Sequence, residues 1–179
     1  SEQGDRRCIT REVGAEEVKN LLEARAIQEV HYPRWISNTV VVPKKNEKWR
    51  VCVDDKTVNR ACSKDGITLP RIDQLADLTA GHNRLSFLDA YRDYHQIAMH
   101  GPDREITSIT TLRGLFSYRV MPFGLKNAGA TFQRMVTKMF APLLGRTMEA
   151  YIDYMVVKSR HKANHLSDLA EMFAILKKH

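Results

Sequence analysis

The stretch from Thr147 to Lys158 narrows the folds open to this chain more than any other. It reads as a strand, a tight turn at Ile152-Asp153 and a second strand. The flanking positions Met148, Ala150, Met155, Val156 and Val157 are apolar enough to make both strands mostly interior. A carboxylate between such strands is costly unless a cation or metal ion faces it. The turn is itself unusual. A two-residue hairpin turn wants Gly or Asn where φ is positive, and here that position falls to the β-branched Ile152. A β-branched residue in that conformation is a strained outlier, and such strain gathers at functional sites. Two blander alternatives stand beside this one. The loop could be longer and relaxed, and Asp153 could simply cap a bend, since Asp is a common turn residue.

A second acid has the same placement. Leu85-Ser86-Phe87-Leu88-Asp89 reads as an apolar strand that finishes in a carboxylate. Pairing Asp89 with Asp153 across neighbouring strands would create a hard, oxygen-rich site of the kind Mg²⁺ prefers. The charge pattern agrees. The chain carries 28 Lys and Arg against 21 Asp and Glu. The basic excess lies in residues 31–64 and 111–160, which flank an acidic stretch over 65–110. Basic blocks suit a polyanion and an acidic centre suits metal ions, although a plain soluble protein of high pI fits the charge equally well.

With 179 residues the chain can build one compact domain or two small lobes. The spacing predicts a helix over 16–26 with Val18, Leu21, Leu22 and Ala26 on one face. Thr39–Val42 and Trp49–Asp54 read as two strands of a hairpin with a cationic tip at Lys44-Lys45-Asn46-Glu47-Lys48. A short helix begins at Pro70 and ends at Gly81. Residues 105–120 read as a hairpin turning at Arg113-Gly114. An amphipathic helix is expected over 127–144, and another in the tail with Leu166, Leu169, Phe173 and Leu176 on one stripe. This alternation implies α/β or α+β layers. No apolar run reaches the ~20 residues that span a bilayer, so no membrane partner is expected. The polar N-terminus without an initiator Met reads as unsecreted and as a piece of something longer. Cys8, Cys52 and Cys62 form no disulfide framework.

Four motifs, in order, carry a family resemblance. Residues 85–97, Leu85 through Asp89-Ala90-Tyr91-Arg92-Asp93-Tyr94 to Ile97, resemble the first catalytic motif of reverse transcriptases from gypsy-type LTR retrotransposons. Met121-Pro122-Phe123-Gly124 through Gln133 is similar to their template- and nucleotide-pocket motif. Tyr151-Ile152-Asp153-Tyr154 is similar to their Y-x-D-D hairpin, and Trp49–Asp54 with Asn59 to their fingers hairpin. The resemblance runs from about Val18 to the C-terminus.

The resemblance implies an α+β right-hand polymerase core with an antiparallel palm sheet backed by helices. Fingers would take residues 1–63 and 97–127, and palm 64–96 and 128–179, with the thumb absent. The reaction it implies is template-directed addition of dNTPs to a primer 3′ end by two-metal phosphoryl transfer. Two Mg²⁺ ions, or Mn²⁺, would sit on Asp89, Asp153 and the Ala90 carbonyl. Arg50 with Lys45 or Lys44 would grip the triphosphate, with the backbone N–H groups of Arg92 and Asp93 beneath it. Tyr94 would stack under the sugar and block a 2′-OH, and Phe123 would line the same pocket. Read without the motifs, Arg50 and Lys45 are solvated hairpin charges and the two aromatics are core residues. Partners would be an RNA or DNA template with its primer and dNTPs, and a cytoplasmic particle would be the setting by analogy.

The chain departs from the family pattern at four places. Tyr154 stands where Y-x-D-D has its second Asp, and a phenol, neutral at pH 7, is a poor Mg²⁺ ligand. Arg92-Asp93 replaces Ser-Gly, and Asp55 stands where an aromatic residue is usual. His179 precedes the late palm motifs, primer grip and thumb of the family. The expectation is therefore an impaired polymerase, with a non-catalytic nucleic-acid-binding remnant of the same fold as the alternative.

Overall fold

The computed structural model describes residues 2–43, 49–67, 72–90 and 93–178. In chain order these form α1 (Glu2–Glu23), β1 (Ile27–Glu29), β2 (Ser37–Pro43), β3 (Trp49–Val53) and α2 (Lys56–Ala61). Then come α3 (Ile72–Thr79), β4 (Arg84–Asp89), β5 (Ser108–Thr111), β6 (Gly114–Tyr118) and α4 (Ala128–Met139). The chain finishes with β7 (Met148–Tyr151), β8 (Tyr154–Ser159) and α5 (His165–Lys178). Short 3-10 turns occupy 93–96, 101–107 and 162–164. The class is α+β. Among the described residues no helix is long and apolar enough to cross a membrane.

Two compact units emerge, one from residues 1–64 and 94–128 and the other from 65–93 and 129–179. The first contains a five-stranded sheet in the order β1-β6-β5-β2-β3. The β2–β5 pair is parallel and the others are antiparallel. Val18 and Leu21 of α1 pack with Ala26, Ile27, Ile109, Phe116 and Tyr118 as its core. The helix stops at Glu23, short of the expected Ala26. Arg25 takes a left-handed φ of 54°. Ala26 N–H donates to Leu21 O at 2.8 Å and Arg25 N–H to Leu22 O at 2.9 Å, a Schellman ending in which Arg replaces the usual Gly. The β5–β6 hairpin is shorter than expected because residues 105–107 belong to a 3-10 turn, and Gly114 supplies the positive φ where β6 begins.

The second unit contains a three-stranded antiparallel sheet, β4-β8-β7. Residues directly opposed in such a sheet share a face. Phe87 pairs with Val156 and Asp89 with Tyr154, so one face carries Asp89, Tyr154, Val156 and Lys158. Lys158 Nζ donates to Leu78 O of α3 at 2.9 Å and to Glu149 Oε1 at 2.6 Å on that side. Ser86, Met155, Val157 and Ser159 point the other way, toward α5. Two helices depart from expectation. Helix α4 ends at Met139 rather than Leu144, because Pro142 lacks an N–H and disfavours helical backbone at Ala141. In α5 the expected stripe is not the buried one. Met172 is fully buried, whereas Leu166, Phe173 and Leu176 are exposed.

Candidate active site

Asp89 and Asp153 lie on neighbouring segments at one end of the three-stranded sheet. Asp89 is the last residue of β4, and Asp153 lies in the two-residue turn that joins β7 to β8. The two segments touch through their backbones, where Ala90 N–H donates to Asp153 O at 3.1 Å. Neither acid is interior, contrary to the burial that the apolar strands imply. Asp89 is exposed and Asp153 half-buried, while Met155 to Ser159 behind them are buried. The strands supply a rigid apolar base and leave both carboxylates at its rim, where their hydration is kept.

The strained turn is real. Ile152 has φ 51°, and Tyr151 pairs directly with Tyr154 across the turn, so no longer loop intervenes. The strain has a specific support that sequence reasoning missed. Gln133 of α4, only 5% exposed, accepts the Ile152 N–H on Oε1 at 2.7 Å. Its Nε2 lies 3.4 Å from Ala150 O and 3.3 Å from Thr137 Oγ1. The one available signal was a lone amide on a helix face with Phe132 and Val136 buried beside it.

Tyr154 stands directly opposite Asp89 on the same sheet face and is 52% exposed. Among the described residues no group of three or more His, Cys, Asp or Glu side chains is arranged to hold a metal ion. The oxygen-bearing groups at this sheet end are the Asp89 and Asp153 carboxylates, the Ala90 carbonyl and the Tyr154 phenol.

The aromatic pair expected at a nucleotide pocket lies in the first unit. The Tyr94 and Phe123 rings meet edge-on with centroids 5.0 Å apart. Phe123 rides on a loop with Gly124 at φ 105°. Asn59 of α2 clamps that loop at two points. Its Nδ2 donates to Gly124 O at 2.8 Å, and its Oδ1 accepts from Lys126 N–H at 2.7 Å. Under the loop lies Asp55, 4% exposed, whose Oδ2 has no hydrogen-bond partner among the described residues. A Cβ at Gly124 would come within 2.8 Å of that oxygen, so only Gly fits. Burial, reinforced by the neighbouring Asp54 charge, pushes the Asp55 carboxyl up to about 6.

Arg50 sits on β3 in register with Val42, and Asp93 opens the 3-10 turn that includes Tyr94. The expected triphosphate ligands Lys44, Lys45 and Arg92 lie outside the described residues.

Comparison with known proteins bears on these motifs. A family model described as reverse transcriptase (RNA-dependent DNA polymerase) matches residues 42–179. The Pol polyprotein of transposon 412 from Drosophila melanogaster is 31% identical over 163 residues, 88% of this chain and 13% of the polyprotein. The Pol polyprotein of transposon gypsy from the same fly is 30% identical over 156 residues, covering 84% of this chain and 15% of its own length. Among solved structures, a prototype foamy virus protease–reverse transcriptase superposes with a TM-score of 0.78 at 18% identity, over 90% of this chain and 21% of that one. A foamy viral protease–reverse transcriptase in complex with double-stranded DNA gives 0.77 at 22% identity, over 88% of this chain and 27% of its own. The chain thus spans a minor part of each relative.

Proposed function

Because this chain belongs to the reverse transcriptase (RNA-dependent DNA polymerase) family, we propose that it is the fingers–palm region of a gypsy-type retrotransposon polymerase. The unit of residues 1–64 and 94–128 would be the fingers, and that of 65–93 and 129–179 the palm. The observation that supports this reading is the bond from Ala90 N–H to Asp153 O, which joins the two acid-bearing segments at one sheet end.

The donor set fits divalent metal. Asp89, Asp153 and the Ala90 carbonyl would all offer oxygen donors at an accessible rim, which suits a hard cation. When bound, two such ions would supply Lewis acidity to the attacking 3′-oxygen and the leaving pyrophosphate of an incoming dNTP. The rest falls to the chain's own side chains. Arg50, Lys44 and Lys45 would offset the triphosphate charge. The N–H groups of Arg92 and Asp93 would add donors, against the cost of the Asp93 carboxylate near phosphate. The Tyr94 ring, braced edge-on by Phe123, would carry the deoxyribose and exclude a 2′-OH. The basic stretches would bind the primer–template backbone, with affinity that falls steeply as salt rises.

Tyr154 impairs this chemistry. It replaces a charged ligand with a neutral one directly opposite Asp89, and loss of one transition-state electrostatic element commonly costs ~10²–10³ in rate. The same residue favours the second reading, a nucleic-acid-binding remnant. A half-exposed phenol beside the acids would stack on a base or sugar without supporting transfer.

Primer extension on an RNA template with Mg²⁺ or Mn²⁺ separates the two. Tyr154→Asp is expected to raise extension by roughly 10²-fold or more over the parent chain. Salt-sensitive duplex binding with no extension by either protein, even with a family thumb appended, would leave the remnant reading.

A further inference from the structure

Four side chains of the second unit form one directed hydrogen-bond chain on the face of the β4–β8 pair opposite Asp89, displaced along the strands toward Arg84 and Ser159. Ser159 donates its only hydroxyl proton to Asp168 Oδ2 at 2.5 Å. With that proton committed, Ser159 Oγ can only accept from His165 Nδ1, 2.9 Å away. A neutral imidazole protonated on Nδ1 has a bare Nε2. That nitrogen accepts the Ser86 hydroxyl at 2.8 Å. The Asp168 carboxylate, which only accepts, therefore sets the direction of the whole chain and the tautomer of the ring.

The chain joins three elements. Ser86 lies on β4 three residues before Asp89, Ser159 is the last residue of β8, and His165 and Asp168 occupy the first turn of α5. In register, Ser86 faces Val157 and Ser159 faces Arg84, so the imidazole spans diagonal neighbours on two paired strands. It does so on the face opposite Asp89. Ser159, 2% exposed, is closed to water, and the other three are half-buried.

We propose that His165 is a positioning residue for the acid pair: held as the Nδ1–H tautomer, it bridges β4 to β8 and keeps Ala90 N–H bonded to Asp153 O. Its importance for function rests on the reading of Asp89 and Asp153 as the catalytic pair. The bridge itself does not, and its test needs neither metal nor turnover.

The test is nuclear magnetic resonance on the full chain with ¹⁵N-labelled histidine, using His165→Phe to assign the ring signal among the seven histidines. The parent chain is expected to show His165 protonated on Nδ1. Ser159→Ala should release that preference, an effect that a ring merely filling space would not show. Amide exchange at Ala90 should speed up about tenfold in Ser86→Ala and in His165→Phe, with exchange of the first unit's core amide Phe116 unchanged. His165→Asn, which keeps a donor near the Nδ1 position, should restore part of the Ala90 protection. An Nε2–H tautomer in the parent chain would overturn the proposal. So would Ala90 exchange that is insensitive to Ser86→Ala, a variant small enough to fold whatever the fate of His165→Phe.

Discussion

Replacing Gln133 by Leu tests how the hairpin under Asp153 is held. Two costs meet at Ile152. Its left-handed backbone, φ 51°, costs a β-branched residue ~1–2 kcal/mol. Its N–H is held by Gln133 Oε1 at 2.7 Å in partly buried surroundings, and stranding such a donor costs ~1–3 kcal/mol. Leu fills similar volume but offers no acceptor. The strain is present before and after the change, so the cost is that of the stranded donor, and relaxation of the turn, which releases strain, limits it. The expected destabilisation is about 2 kcal/mol, read as a roughly 30-fold faster amide exchange at Ile152. The Asp153 resonances should shift with it. In an Ile152→Gly background there is no strain for relaxation to release, so the same Gln133→Leu change should cost at least as much, about 2 kcal/mol or more. Unchanged Ile152 exchange in the single variant, or a clearly smaller cost in the glycine background, would refute this account of the turn.

Three further outcomes follow from other residues. The Asp55 carboxyl is raised to about 6 from an ordinary value of 3.8, so the folded chain holds that proton more tightly than the unfolded chain. Stability should therefore fall as pH rises from about 4 to about 6 and level off above, and Asp55→Asn should flatten that slope in denaturant midpoints taken across the window. Lys158→Met strands Glu149 in the interior and should cost about 3–5 kcal/mol in urea denaturation, whereas the double change with Glu149→Leu should recover most of it. Arg25→Gly should stabilise the chain by about 1 kcal/mol, because Gly adopts the left-handed helix ending of α1 without steric cost.

What the sequence shows most clearly is local. The β7–β8 hairpin is legible from two apolar runs around a tight turn, and even the strained residue is identifiable as Ile152, since the turn has no glycine. The β2–β3 and β5–β6 pairings are legible for the same reason, since short strands with small turns find their register nearby. The failures come from contacts distant in sequence. Helix α5 offers two apolar stripes, and periodicity selects Leu166, Phe173 and Leu176. The buried face instead holds Met172 with the polar His165 and Asp168, which turn inward because Ser86 and Ser159 await them. Amphipathic reasoning sends polar residues outward and cannot anticipate a buried polar chain. Gln133 and Asp55 were illegible likewise. One is a buried amide satisfied by a turn nineteen residues away, and the other is a buried acid whose Oδ2 finds no hydrogen-bond partner among the described residues. The placement of the two acids could be read because Asp89 ends a recognisable strand and Asp153 sits in the turn between two others, but their position at an exposed rim comes only from the three-dimensional arrangement.

The most direct test of the account is Mn²⁺ binding, followed by electron paramagnetic resonance on the parent chain and on Asp89→Asn, Asp153→Asn and Tyr154→Asp. Cation affinity is tuned by the number of charged ligands. The account predicts weak binding by the parent chain, loss with either asparagine, and affinity higher by about tenfold or more with Tyr154→Asp. Binding that is indifferent to Asp89→Asn and Asp153→Asn would contradict it.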